Sequence, residues 1–267
     1  LRHWISHPLI QVDQIQFRLD AVEELTKNSL IREEIKKLLE GVYDIERLIT
    51  KISTRSANPK DLIALSGSLK QIPNIKKEIS NLSTPLIDKI KQTKELNNIT
   101  KLIEISINEN PPSRINEGNI ITEGFSKELD ELRDLMKGGK KFISELEARE
   151  QEKTGIPLKI GFNNVHGYYI EISKRYSEKV PPHYIRKQTI ANSERYVTPE
   201  IKEKEELILG AEEKVIQLEY TLFSGIVEEI SRYIIDLQEI AQNIALLDAL
   251  TSLATCSAIR SASLASA

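Results

Sequence analysis

The sequence predicts a mainly α protein: a helical bundle with two long antiparallel helices and a small β-containing module inserted at their tip. Three observations carry this expectation. Apolar residues recur at alternating steps of three and four over two long segments, 125–146 and 208–247. Between them, residues 156–198 change to an alternating pattern and hold five of the eight tyrosines, Tyr168, Tyr169, Tyr176, Tyr184 and Tyr196. The composition agrees, with 40% hydrophobic, 29% charged and only 5% aromatic residues, a mixture that favours amphipathic helices around a core.

Residues 1–112 read as short helices separated by punctuation. Asn58-Pro59-Lys60-Asp61 is a helix start, because Asn58 can cap and Pro59 has no amide hydrogen to leave unpaired in the first turn. Leu62, Leu65 and Leu69 follow at helical spacing, and Pro73, Pro85 and Pro111-Pro112 mark breaks or kinks. The turn-prone Glu117-Gly118-Asn119 and Glu123-Gly124 precede the first long helix, whose stripe is Phe125, Leu129, Leu132, Met136, Ile143 and Leu146, with Gly139 in register in the gap. That helix is expected to run to about residue 152. In the next segment, 158–162 and 168–173 alternate as strands, with Asn163-Asn164 and Gly167 as the turn and at least three short strands expected in all. Thr198-Pro199-Glu200 starts the second long helix, with Thr198 as cap and Glu200 at the positive helix end. Its stripe is Ile208, Ala211, Val215, Leu218, Leu222, Ile226 and Ile230, resuming at Leu237, Ile240, Ile244 and Leu247. Continuous from 199 to 255, it would be on the order of 85 Å long, with Gly210 and Gly225 as soft points. The expected division is a helical core with the outgoing helix (1–155), a β-rich insert (156–198), a returning helix packed on the core (199–256), and a Ser/Ala-rich tail (257–267) expected to be disordered or foreign to the native chain.

Charge is uneven. The chain totals −3, yet residues 156–198 carry Lys159, Lys174, Arg175, Lys179, Arg186, Lys187 and Arg195 against Glu171, Glu178 and Glu194, seven minus three or +4. A phosphate backbone attracts such a patch through counterion release. Gln188, Thr189, Asn192 and Ser193 add neutral donors for phosphate oxygens. Composition alone fits a solvated β surface with ordinary lysines somewhat better. Acid pairs such as Glu205-Glu206 read as a solvated helix face, and His166 as a packed or turn histidine.

Cys256 is the only cysteine, which excludes an intramolecular disulfide and a cysteine zinc site. His3, His7, His166 and His183 have no metal-ligand spacing, and no nucleophile elbow or G-x-x-x-x-G-K-[ST] phosphate loop occurs. No apolar run reaches the ~18 residues of a membrane span, and the first residues lack a secretory pattern. The first residue is Leu1, so an excised segment is expected.

Two long motifs go further. GFNNVHGYYIEISK (161–174) and YIRKQTIANSERYVTPEIKEKEE (184–206) closely resemble the clamp of MutS family proteins. INEGNIITEGFSKELDELRDL (115–135) resembles the approach to that family's first lever helix, YDIERLITKISTRSANPKDLIAL (43–65) its core segment, and LRHWISHPL its start. The resemblance covers nearly all of residues 1–255 in order. It implies that the two long helices are lever helices and the β module a clamp that grips duplex DNA by its backbone without base specificity. It further implies a whole protein that dimerises around DNA, reads a mismatch with an N-terminal Phe-x-Glu motif, hydrolyses ATP with Mg in a C-terminal P-loop domain, and recruits MutL. Neither that Phe-x-Glu domain nor the P-loop is present in these residues, so this segment is expected to be no enzyme and to hold no cofactor. The motif positions implied as DNA-binding are Asn163, Arg186, Lys187, Gln188, Thr189, Asn192 and Arg195, to which charge adds Lys174. Tyr168, Tyr169 and Tyr196 are expected to pack the module. A cytoplasmic protein, nucleoid-associated through DNA, follows from the same resemblance. The competing expectation is a structural coiled-coil module whose tip binds another protein.

Overall fold

The computed structural model describes residues 2–265 apart from 164 and 166, so the turn residue Asn164 and His166 lie outside the described residues. Ten α-helices and one four-stranded sheet are present among them: α1 (Arg2–Ser6), α2 (Val12–Lys27), α3 (Ser29–Glu40), α4 (Ile45–Ser53), α5 (Pro59–Glu78), α6 (Pro85–Lys91), α7 (Asn97–Ser106), α8 (Lys127–Thr154), β1 (Lys159–Asn163), β2 (Gly167–Ser173), β3 (Ile185–Thr189), β4 (Ser193–Val197), α9 (Pro199–Ser231) and α10 (Ile234–Ala265). The chain forms two compact units, residues 1–122 with 222–267, and residues 123–221. The protein is therefore mainly helical with a small antiparallel sheet.

The first unit is a helical bundle. Its α10 packs against α2, α3, α4 and α6, and α5 packs against α7 and α3. Helical spacing turns Leu62, Leu65, Leu69, Ile72 and Ile75 of α5 inward, and all five are buried. The start of α5 is a capping box: Asn58 accepts from the Asp61 amide, and Asp61 accepts from the Asn58 amide. Pro73 does not break this helix, which continues to Glu78. Pro85 opens α6 at its first turn.

The second long helix is not continuous. It stops at Ser231, and α10 begins at Ile234. The amides of Arg232 and Tyr233 bond back three residues, to Glu229 and Ile230, before Leu237 bonds Tyr233 to start a fresh helix. A tightened turn of this kind closes a helix end without glycine. The expected soft points Gly210 and Gly225 lie inside α9. Beyond the break, α10 stays helical through Ala265, a stretch rich in Ala and Leu without Gly or Pro. The segment expected to be a disordered tail is thus helical over its described part.

The second unit pairs α8 with the first turns of α9. Contacts run in opposite order along the two: Arg149 with Glu200 at 2.6 Å, Phe142 with Lys204 at 5.3 Å, and Arg133 with Glu219 at 2.5 Å. The helices are therefore antiparallel. Gly139 is required midway, because a Cβ there would overlap the buried Ile208 side chain. Ser126 caps α8 at its start, and Gly155 ends it in the left-handed conformation. The apolar stripe of α9 departs from expectation in its middle: Leu218 is only partly buried, while Glu219 is fully buried.

Candidate nucleic-acid interface

The sheet has strand order β1-β2-β4-β3 with every pair antiparallel. Alternation sends Ile170 and Ile172 of β2 and Tyr196 of β4 into a core with Leu146, Ile156, Leu158, Tyr184 and Ile201. Tyr168, Tyr176 and Phe142 pack at its margin. Tyr168 and Tyr196 thus pack the module, as expected, whereas Tyr169 lies on the other face of the sheet, under Arg195. Tyr184 donates to Glu150 at 2.7 Å inside this core, and burial with the Glu150 contact holds its hydroxyl well above the usual phenol range.

The opposite face is polar. Arg195 of β4 lies over the Tyr169 ring at 4.2 Å and pairs with Glu171 across the strands at 3.3 Å. It also donates to Gln188 of β3 at 2.9 Å, and Glu171 accepts from Ser193 at 2.9 Å. Gly161 lies under Tyr169, where a Cβ would stand 2.8 Å from the ring.

Glu194 is the other polar centre. Its buried carboxylate accepts from the Tyr196 hydroxyl, from Arg186 at 3.0 Å and from Ser177 at 3.3 Å. The hydrogen bond from Tyr196 is the main cause that holds Glu194 below the usual carboxylate range, with the bond and charge of Arg186 adding to it. Burial and the same contact push Tyr196 up to about 12.

The eight residues singled out from sequence fall into two groups. Arg186, Lys187, Gln188, Thr189, Asn192 and Arg195 belong to the β3–β4 hairpin or its turn, and Lys174 joins them because its amide bonds the Asn192 carbonyl at 3.2 Å. Asn163 does not join them. It faces Gly167 at one end of β2, whereas Ser173 faces Ser193 at the other, which is ~20 Å along the strand at ~3.3 Å per residue. The Asn163 end is tied to α9, where Glu205 accepts from the Tyr168 amide at 2.6 Å. Glu205 is therefore buried rather than solvated, and only Glu206 of that pair faces solvent. Lys187 falls where the β3–β4 register shifts, so the strand bulges at this lysine and leaves it exposed.

Sequence reasoning missed Glu150, Glu194, Glu205 and Glu219 as structural groups. Their only local signal was position: Glu194 alternates in β4 with the inward Tyr196. The described residues contain no cluster of three or more metal-ligating side chains and no helix long and apolar enough to cross a membrane.

The family model described as MutS domain III matches residues 1–254. The chain belongs to the MutS family. It is 49% identical over 95% of its length to the DNA mismatch repair protein MutS of Caldanaerobacter subterraneus subsp. tengcongensis, and covers 30% of that protein. It is 50% identical over 95% of its length to the MutS protein of Ruminiclostridium cellulolyticum and 47% identical to that of Acetivibrio thermocellus, covering 29% of each. The chain thus spans under a third of the length of the curated MutS relatives it matches. The MutS domain III match takes in both compact units, the bundle and the sheet unit alike.

Proposed function

We propose that this chain is the lever and clamp part of a MutS-type mismatch repair protein, in which the sheet unit grips duplex DNA by its phosphates. On this reading residues 1–155 form the core and outgoing lever helix, 156–198 the clamp, and 199–256 the returning lever. The observation that carries it is the +4 excess of residues 156–198 within a chain of −3, in a family whose relatives are named for DNA mismatch repair. Lys187 and Lys174 supply charge, with Arg186 and Arg195 beside them; Asn163, Gln188, Thr189 and Asn192 supply neutral donors. Such contacts position a protein on DNA and carry no direct sequence information. The antiparallel α8 and α9 would transmit movement between the grip and the remainder of the protein.

ATP and Mg belong to the whole protein outside this segment. The nearest thing to a phosphate loop, Gly138-Gly139-Lys140-Lys141, lies inside α8 with its amides committed to the helix, so it does not fit a nucleotide. On this reading the segment has no catalytic step of its own. MutL and a second MutS subunit are proposed partners of the whole protein, which would act in the cytoplasm on nucleoid DNA.

A salt titration of duplex binding tests the grip. Non-specific affinity is expected at about 10⁻⁴–10⁻⁶ M and should fall steeply with salt. Lys187→Ala should weaken binding alike for all duplex sequences and lower the salt slope by about one. Asn192→Ala should weaken binding with almost no change of slope, because it removes no charge. Salt-insensitive binding, or none to duplex at low salt, would overturn the reading and favour a protein-binding tip.

A further inference from the structure

The +4 excess is not carried by the arginines of the β3–β4 hairpin. Arg186 is committed to the buried Glu194, and Arg195 to Glu171, Gln188 and the Tyr169 ring. Each of these pairs cancels, so the excess falls on Lys159, Lys174, Arg175, Lys179 and Lys187, against Glu178 alone. Among the described residues, none of these five cations has an ion-pair partner within the sheet unit.

Three of the five lie together on the 3-10 segment Lys174–Lys179, which follows directly from β2. That segment is pinned to the hairpin at two points. The Lys174 amide bonds the carbonyl of Asn192 in the β3–β4 turn, and Ser177 bonds Glu194. Tyr176 packs its apolar body on the core, with Arg175 over its ring at 4.7 Å. The segment is thus held, while Lys174, Arg175 and Lys179 remain exposed. Glu194 organises both parts: it anchors the 3-10 segment through Ser177 and the hairpin through Arg186. Arg186 spends Nη1 on Glu194 while the rest of its side chain stays exposed. Its charge is already neutralised by the carboxylate, and a phosphate that drew it away would weaken the hold on a buried charge.

We infer that the phosphate-contacting surface is centred on the 3-10 segment, with Arg175 and Lys179 as binding residues beside Lys174 and Lys187. Arg186 and Arg195 are positioning side chains that shape the hairpin and donate no charge to DNA. The inference rests on the clamp reading above and specifies which groups perform it.

The test is the salt dependence of duplex binding by the full chain. The variants are the double substitution Arg175→Gln with Lys179→Gln, and the single substitution Arg186→Gln. Both residues of the double variant are exposed, so its fold should persist, checked by circular dichroism. The double variant should lower the slope by about 1.8, since each phosphate contact contributes about 0.9. Arg186→Gln should weaken binding by loosening the hairpin yet leave the slope where it was, and Arg186→Lys should restore most of the loss by keeping a cation on Glu194. If the wild type binds with a steep slope that the double variant leaves unchanged, the inference is overturned while the clamp reading stands. A slope lowered by about one in Arg186→Gln would overturn the positioning role. If the wild type does not bind duplex at all, both fall together.

Discussion

In the helical unit the side chains that leave solvent are mostly apolar: Leu25, Ile35, Ile52, Leu62, Leu65, Ile72, Ile75, Ile87 and Ile99 are all buried to 2% exposure or less. In the sheet unit four glutamates leave solvent with the apolar residues, Glu150 at 6%, Glu194 at 8%, Glu205 at 7% and Glu219 at 0%. Each meets a specific donor: Tyr184, Tyr196 with Arg186, the Tyr168 amide, and Arg133. The contrast follows from size. The bundle helices offer broad apolar stripes to one another, whereas a four-stranded sheet offers few inward positions and little apolar surface to bury. Hydrogen-bonded carboxylates fix the geometry of such a small unit, at the cost of desolvating charge. The bundle should therefore respond mainly to volume, and the sheet unit to charge and pH.

The largest effect should come from the buried pair between α8 and α9. Arg133→Ala leaves the Glu219 carboxylate without its cation, and Glu219 Oε2 already has no hydrogen-bond partner among the described residues. We expect a loss of about 3–5 kcal/mol in denaturant unfolding. Joining Arg133→Met to Glu219→Leu should return most of it, because no charge is then stranded. A double variant as weak as the single would mean that the pair is more than a charge-matching device.

Leu65→Ala in α5 is the counterpart in the bundle. It should cost about 2–5 kcal/mol through lost transfer energy and a cavity, and the cost should be the same at pH 5 and pH 8. A strong pH dependence there would break the contrast between the two units.

Adjacent glycines in α8 give a smaller and sharper comparison. A Cβ on Gly138 meets nothing within 4 Å, so Gly138→Ala should stabilise by about 1 kcal/mol through helix propensity. The same change at Gly139 drives a methyl into the β-branched, buried Ile208 and should destabilise by about 1–3 kcal/mol. The melting temperature should therefore rise in one variant and fall in the other. Equal shifts at the two positions would refute the close approach of α8 and α9.

The smallest effect is the pH response of Glu194 and Tyr196. Glu194 is held below its ordinary range, so its contribution is present above that range and is lost as pH falls through its depressed value. Tyr196 is raised from 10.0 to about 12, so its contribution is present below 10.0 and is lost as pH rises through about 12. Tyrosine dichroism in the near ultraviolet, fed mostly by the sheet unit, should fade before the far-ultraviolet helix signal in both acid and strong base. Coincident loss of the two signals would show that the units do not differ in this way.

Sequence by itself determined the helical class, the change of period at 156–198, the capping box at Asn58, the cap at Thr198, whose hydroxyl accepts from the Ile201 amide, and the place of Gly139 in the stripe. All depend on residues a few positions apart, where helix and strand periodicities and backbone capping are decided. Tertiary structure decided the rest. It placed Glu219 inward where Leu218 was expected, ended α9 at Ser231, set β4 between β2 and β3, and separated Asn163 from the hairpin. It also committed Arg186 and Arg195 to carboxylates, so that cations equivalent in the sequence became unequal in the fold. Whether a glutamate is solvated or buried depends on partners that no local pattern contains: Tyr184 lies 34 residues from Glu150, and Glu219 lies 86 from Arg133. A carboxylate leaves water only where a distant donor waits for it, and that meeting exists only once the chain has folded.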